Sequence, residues 1–353
     1  MGECGVFDRR LMRRRLLVGA ALSAVLARLD GVQAQVKLEK PRVVLSVGAI
    51  MSLQHLPLTL AQRLGFFATE GLDVELLDLG NGARAQQAVA EGAADVTCGA
   101  FEGIVELRAR KHIHRAFVLL GRAPQIAFAV SRRNLPAYRK TSDLKGLAIG
   151  VSAPGSSAML VARQVLARAG LSAQDVRFVD TGTVGAALQA MRSGQVDALV
   201  HMEPVMTMLE QKNEVRIIAD TRSLKGASDV FAGVVPSICL HASADYVLNH
   251  PNTVQALTNA VVHALKWLQT AGPSDLIKVV PDAYFLGDRA LYLASLGKVR
   301  ESIALDGLIA EDSVRHLVRV LGRLEPSLNV DKLDPDSLFT NVFARKAKEK
   351  FRA

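Results

Sequence analysis

The chain reads as an α/β protein of two lobes, and three observations carry that reading. The first is a repeated punctuation. "EGAADV" at residues 91–96 and "SGQVDA" at residues 193–198 both place Gly-x-x-Asp where a helical pattern closes and an apolar run opens. The second is order: short β-branched apolar runs alternate with helical patterns, giving a βαβαβ unit before residue 130 and another after it. The third is size, since 353 residues, 50% of them hydrophobic, suffice for two lobes with a core each.

The first unit opens with "RVVLSVGAI" (42–50), a β-branched run that predicts a buried strand. "LPLTLAQRLGFF" predicts a helix that starts near Pro57, where proline suits the first turn, and ends at Gly65. "LDVELLDL" (72–79) alternates and predicts the second strand, and Asn81-Gly82 is a turn pair. "ARAQQAVAEG" is an Ala-rich helix stopped by Gly92. "DVTCGA" is the third strand, "EGIVELRARK" the next helix, and strands "RAFVLLG" and "QIAFAVS" follow.

The second unit repeats the scheme. "LAIGVSA" (147–153) is a strand, and "PGSSAMLVARQVLARAG" a helix with Ser156 or Ser157 near its N-cap and Gly170 at its stop. Strand "DVRFVDT", helix "VGAALQAMRSG" and strand "VDALVHM" come next. Helix "EPVMTMLEQKN" has Pro204 in its first turn, and "VRIIAD" closes the unit. Beyond residue 229 there is one strand-like run, "FAGVVPSICLHA", and then mainly helices, "NTVQALTNAVVHALKWLQTA" and "AEDSVRHLVRVLG" among them. A chain that leaves one lobe, builds a second and returns predicts lobe 1 at 42–130 plus 232–325 and lobe 2 at 131–231. A basic, solvated helical tail is expected at 326–353. The two crossings, near 129–132 and 229–233, make a hinge.

The first residues are not fold. Arg13, Arg14 and Arg15 precede the apolar run "LLVGAALSAVLA", and Val32-Gln33-Ala34 follows as a small-residue cleavage site. This is the layout of a cleaved secretory signal over residues 1–34, and "RRRLL" fits its twin-arginine variant. Arg28 and Asp30 interrupt the stretch, leaving the apolar run too short to span a bilayer. An uncleaved anchor is the other reading of the same pattern. The segment holds six arginines against three acids, so without it the net charge of +9 becomes +6. No basic patch interleaved with aromatics argues for nucleic acid. Three dispersed cysteines make no disulfide framework, and Cys98 and Cys239, in apolar runs, read as small buried hydrophobes.

In an open α/β sheet the ligand sits beyond the carboxyl ends of the strands. That rule selects the loops at 51–55, 80–83, 101–102, 153–157, 181–183 and 202–204. The candidate ligand-binding residues are Gln54, His55, Asn81, Phe101, Glu102, Gln125, Ser156, Ser157, Thr183, Met202, Glu203 and Phe231. Several loops lead into helix N-termini, whose unpaired N–H groups favour acceptor groups on a ligand. Ser156 and Ser157 read either as caps or as contacts to such an acceptor. Glu102 and Glu203 open helices, where an acid is favoured anyway; facing the cleft, they would ask for a donor-rich ligand. Phe101, Met202 and Phe231 offer apolar surface for an aromatic or aliphatic solute.

Nothing in the spacing of His55, His201 and Ser157 marks a catalytic triad, and no G-x-S-x-G is present. "HIH" at 112–114 brings no further ligand spacing and reads as solvated surface rather than a metal site. "GVSAPGSS" matches neither a P-loop nor G-x-G-x-x-G. The expectation is a non-enzyme without cofactor or metal.

Two long segments carry a family resemblance. "LPLTLAQRLGFFATEGLDVELLDLGNGARAQQAVAEGAADVTCG" resembles the opening of the periplasmic binding proteins of the nitrate/sulfonate/taurine and thiamine-precursor types, on Pro57, Ala61, Gly65-Phe66-Phe67, Glu70-Gly71-Leu72, Val74 and Gly92-x-x-Asp95. "LKGLAIGVSAPGSSAMLVARQVLARAGLSAQDVRFVDTGTVGAALQAMRSGQVDALVHMEP" is similar to that family's second lobe, on Leu144-Lys145-Gly146, Gly155-Ser156-Ser157, Gly194-Gln195-Val196-Asp197-Ala198 and Glu203-Pro204, and "NTVQALTNAVVHALKWL" to the helix after the return crossing. The resemblance implies a type II periplasmic binding protein fold with its ligand cleft between the lobes. It implies a monomeric, periplasmic receptor of an ABC importer that captures a small organic solute and delivers it to a permease in the inner membrane. Sulfonate- or taurine-like acids come first, thiamine-type pyrimidine precursors second. In the anion binders of this family serines and helix N-termini hold the oxyanion, the role Ser156, Ser157 and Thr183 would take, and Glu203-Pro204 belongs to the pattern even there. Pyrimidine-synthesising enzymes of the same fold carry a cysteine-rich iron motif that this chain lacks. A sensory module docking on a membrane receptor is the third possibility.

Overall fold

The computed structural model describes Met1, residues 37–182 and residues 184–353. The expected signal segment and Thr183 lie outside the described residues. Leu38–Ala353 form one compact unit.

The elements run in the order β1 (Arg42–Val47), α1 (Leu56–Arg63), α2 (Phe66–Thr69), β2 (Asp73–Asp78), α3 (Gly82–Ala90), β3 (Val96–Ala100), α4 (Glu102–Ala109), β4 (His114–Leu119) and β5 (Ile126–Ser131). They continue with β6 (Ala148–Val151), α5 (Ser157–Arg168), β7 (Arg177–Asp180), α6 (Val184–Ser193), β8 (Ala198–Met202), α7 (Val205–Gln211), β9 (Val215–Asp220), α8 (Leu224–Phe231) and β10 (Ile238–Ser243). The C-terminal part holds α9 (Ala244–Asn249), α10 (Pro251–Thr270), α11 (Pro273–Val279), α12 (Arg289–Val299), α13 (Glu311–Leu324) and α14 (Val342–Phe351).

The strands form two sheets of the same pattern, β2-β1-β3-β10-β4 and β7-β6-β8-β5-β9. In each, the first three strands pair in parallel, and the fourth in order runs against both its neighbours. That antiparallel strand is contributed across the hinge: β5 follows the first unit and enters the second sheet, and β10 follows the second unit and returns to the first. The first crossing therefore spans residues 120–125, before β5, and not the expected 129–132. Periodicity identifies 126–131 as a strand but says nothing about its partner; the register of Ala127 with His201 and of Val130 with Ala198 decides it. The second crossing, 232–237, follows α8, whose Val230 carbonyl accepts from Gln164 Nε2 of α5 (3.0 Å) and so ties α8 to the second lobe. The crossings run side by side. Ser237 N donates to the Gly121 carbonyl (3.0 Å) and Gln125 N to the Thr221 carbonyl (3.0 Å).

The repeated Gly-x-x-Asp is explained by one job done twice. Gly92 and Gly194 end α3 and α6 at φ of 78° and 81°, left-handed conformations that favour glycine. The aspartates then stitch the third strand of each sheet to the first. The Asp95 carboxylate accepts from Val44 N (3.0 Å), and the Asp197 carboxylate accepts from Ala148 N (3.0 Å).

The tail at 326–353 does not stand in solvent as expected. Phe343, Ala344 and Ala347 of α14 are buried. Phe66, His263 and Phe351 stack with ring centroids 3.7 and 4.6 Å apart, so His263 of α10 sits between α2 and α14 and pins α14 to the first lobe. Lys350 pairs with Glu70 (2.7 Å) and Lys348 with Asp306 (2.8 Å). Its lysines face out while its apolar stripe packs on the first lobe.

Candidate functional site

The loops at the carboxyl ends of the strands meet between the two lobes. After β1, Ser52 accepts from Gln54 N (3.3 Å) and donates its hydroxyl to the sulfur of Met202, which ends β8 in the other lobe (3.3 Å). Gln54 is buried and reaches the hinge, its Nε2 donating to the Pro124 carbonyl (2.6 Å). His55 donates from Nδ1 to the Ala49 carbonyl (2.8 Å), and burial pushes its pKa below the usual imidazole range. Both side chains shape the loop around Ser52.

After β3, Phe101 is fully buried and its N–H donates to the Ser237 carbonyl (2.8 Å). Glu102 opens α4 and is buried; its one side-chain partner among the described residues is Ser157, whose hydroxyl donates to Oε1 (2.5 Å). Ser157 opens α5 of the facing lobe. This bond joins two helix N-termini across the cleft. Burial pushes the Glu102 pKa up, which the Ser157 hydroxyl only partly offsets. Burial and the nearby Glu102 carboxyl likewise push Glu106, one turn further along α4, up to about 7.

Ser156 holds the N-cap position of α5 but its side chain caps nothing. Its hydroxyl donates to the Ala153 carbonyl (2.7 Å) and accepts from Ser152 (3.2 Å). Asn81 does cap, accepting from Arg84 N (2.9 Å) at the start of α3. The adjoining backbone packs so closely on β1 that a Cβ at Gly48 would lie 2.5 Å from Gly82 N. Gln125, in the first crossing, is 2% exposed at φ 61°, and its Oε1 has no hydrogen bond among the described residues.

Two candidates leave the cleft. Glu203 is buried in an ion network of its own lobe: Arg222 donates to Oε1 (2.7 Å) and Thr207 N to Oε2 (3.0 Å), while Arg222 also holds Asp220 and Glu210. Glu102 and Glu203 therefore form no acid pair. Phe231 is fully buried at the end of α8, and its carbonyl accepts from His316 Nε2 (2.9 Å). It is core rather than ligand surface. "HIH" is likewise not solvated throughout: His114 is buried beside His241, with Nδ1 atoms 3.2 Å apart. Cys98 and Cys239 are buried free thiols.

Residues that the sequence did not single out complete the junction of the lobes. Ser52 touches Met202, and beside them a recess of about 20 Å³ is walled by Met51 and Leu53, Pro204, and Tyr292 and Ser295 of α12. No spacing signal marks Tyr292 or Ser295, which reach the recess only through the return of the chain.

The NMT1/THI5-like family model matches residues 52–272. Among solved structures, a protein of Bordetella bronchiseptica RB50 is 46% identical over 90% of this chain and 100% of that one, with a TM-score of 0.86. The alkanesulfonate-binding protein SsuA of Xanthomonas axonopodis pv. citri, bound to MOPS, is 18% identical over 88% of this chain and 99% of that one, with a TM-score of 0.65. The periplasmic nitrate-binding protein NrtA of Synechocystis PCC 6803 is 14% identical over 89% of each chain, with a TM-score of 0.68. The two more distant proteins share the fold of this chain. With the family model spanning both lobes and the cleft, this chain belongs to the NMT1/THI5-like family, on the two-lobed fold of the periplasmic binding proteins.

Proposed function

We propose that this chain is the exported, monomeric solute receptor of an ABC importer. It closes its lobes on a small organic solute in the periplasm and presents it to a membrane permease. The solute carries a hydrogen-bond-donating amine, which faces Glu102, and an oxyanion such as a sulfonate, which takes the N-terminus of α5. The observation that carries this reading is the Ser157–Glu102 bond, 2.5 Å long, between helix N-termini of opposite lobes. A ligand entering there meets a positive helix end and serine hydroxyls on one side and a buried carboxyl on the other. Beside a plain anion that carboxyl would have only the Ser157 hydroxyl as a donor, and the unpaired acceptor of Gln125 adds to the demand for donors. An aminosulfonate of the taurine type answers both sides. An aminopyrimidine answers only the carboxyl.

Calorimetric titration of the mature chain with taurine, ethanesulfonate and an aminopyrimidine tests the reading. Taurine is expected to bind most tightly. Glu102→Gln should weaken taurine at least tenfold and leave ethanesulfonate unchanged. Ser157→Ala, which removes a hydrogen bond to a charged group of about 1.5–3 kcal/mol, should weaken both. Equal affinity for taurine in all three proteins would contradict the reading, as would preference for the aminopyrimidine.

A further inference from the structure

We propose that Tyr292 and Ser295 of α12 form a subsite of the cleft that reads a small hydroxyl or ether oxygen at the far end of the solute. The inference rests on the solute-receptor reading above and extends it to a segment, residues 284–295, that lies beyond the family match at 52–272.

Both side chains line the recess beside the Ser52–Met202 contact. Tyr292 is 6% exposed and Ser295 fully buried, and neither hydroxyl has a hydrogen-bond partner among the described residues. A buried hydroxyl without a partner destabilises the fold, so two of them three residues apart, on one helix face and in one recess, point to a partner that is not part of the chain. Burial also pushes the Tyr292 phenol up, so it stays protonated and can donate. The rest of the wall is mostly apolar, with Leu53 on the first lobe and Pro204 on the second, and includes Tyr284, whose hydroxyl accepts from Thr59 (3.4 Å). Met51 and Leu286 line it too and are 51% and 50% exposed, which leaves a way in. The space, about 20 Å³, admits one water-sized group. A terminal hydroxyl or ether oxygen on an apolar stem fits these dimensions; a second sulfonate or a ring does not.

The walls come from both lobes, so the subsite takes its shape as they close. Lys298 of α12 and Arg300 just after it span the same junction. Lys298 pairs with Glu210 of the second lobe, while Arg300 donates to the Leu268 and Ala271 carbonyls at the end of α10 (2.7 Å each).

The test uses two pairs of probes: N-(2-hydroxyethyl)taurine against N-propyltaurine, and N-(3-hydroxypropyl)taurine against N-butyltaurine. Each is titrated into the wild type, Tyr292→Phe and Ser295→Ala. A site built to hydrogen-bond a hydroxyl rejects the analogue that lacks it. The wild type is expected to prefer the hydroxylated member of at least one pair tenfold or more. Each variant should lose most of that preference while binding the alkyl member as the wild type does. Because each variant deletes an unpartnered group, its unliganded melting temperature should be unchanged or higher. A wild type that binds both members of each pair equally, or variants that keep the preference, would mean that the recess holds a water only and would overturn the inference while leaving the receptor reading intact. Lower melting temperatures with unchanged preference overturn it as well. If the wild type binds none of the four probes and no taurine, the solute reading fails first and the inference falls with it.

Discussion

At the scale of single residues, burial sets the titration of the enclosed imidazoles. His114 and His241 are the clearest case. Burial pushes His114 down to about 4 and His241 well below the usual imidazole range, each lowered further by a neighbouring imidazole, His112 for the first and His114 for the second. A folded-state pKa below the unfolded value near 6.5 means that stability is present above pH 6.5 and lost as pH falls toward 4. For His114 the full span is on the order of 3 kcal/mol. Glu106, raised to about 7, works the other way and adds stability below that pH, so the histidine contribution must be isolated by difference. Urea unfolding of wild type and His114→Gln at pH 7.5 and 4.5 does this. The wild type should lose more stability on acidification, by about 1–3 kcal/mol. Equal losses would show that the pair carries no linkage. The burial of His114 was not legible in "HIH", because its partner lies 127 positions away.

At the scale of elements, the end of α12 and the turn after it do what no local pattern announces. Lys298 and Glu301 reach the second lobe, the first pairing with Glu210 and the second accepting from Leu224 N (2.8 Å), while Arg300 between them grips α10. The Lys298 and Glu210 side chains are 35% and 25% exposed, so the pair contributes no more than about 1 kcal/mol. Lys298→Met should then weaken solute binding by up to about fivefold, with little change in the unliganded melting temperature, because Glu210 keeps Arg222. Calorimetry beside a thermal melt checks both, and unchanged affinity would remove α12 as a brace between the lobes. Helix stops at Gly92 and Gly194, the strand runs and the loops chosen by strand ends were legible, since each is a local pattern of conformation or burial. What sets them apart from the rest is sequence distance. The exchange of β5 and β10 between sheets, the docking of α14 and the capture of Glu203 by Arg222 all depend on contacts formed only when the chain returns. Glu203 also shows the limit of reading an acid at a helix start: the residue type suits a cleft and a buried ion pair equally.

At the scale of the whole molecule, two sheets of one pattern exchange a strand, and the paired crossings at 120–125 and 232–237 leave the lobes joined by a narrow hinge. Beyond the hinge the lobes also meet through Ser157 and Glu102, Ser52 and Met202, Lys298 and Glu210, Arg163 and Glu325, and the Phe231 carbonyl and His316. On the receptor reading, a ligand that adds contacts to both sides would favour the closed arrangement, as in hinged two-domain receptors. Small-angle X-ray scattering of the protein, alone and with saturating solute chosen by the titrations above, tests this central claim most directly. The account predicts a smaller radius of gyration with solute bound, and no such change in Glu102→Gln at a taurine concentration that saturates only the wild type. An unchanged radius for the wild type at saturation would contradict a receptor that works by closing its lobes.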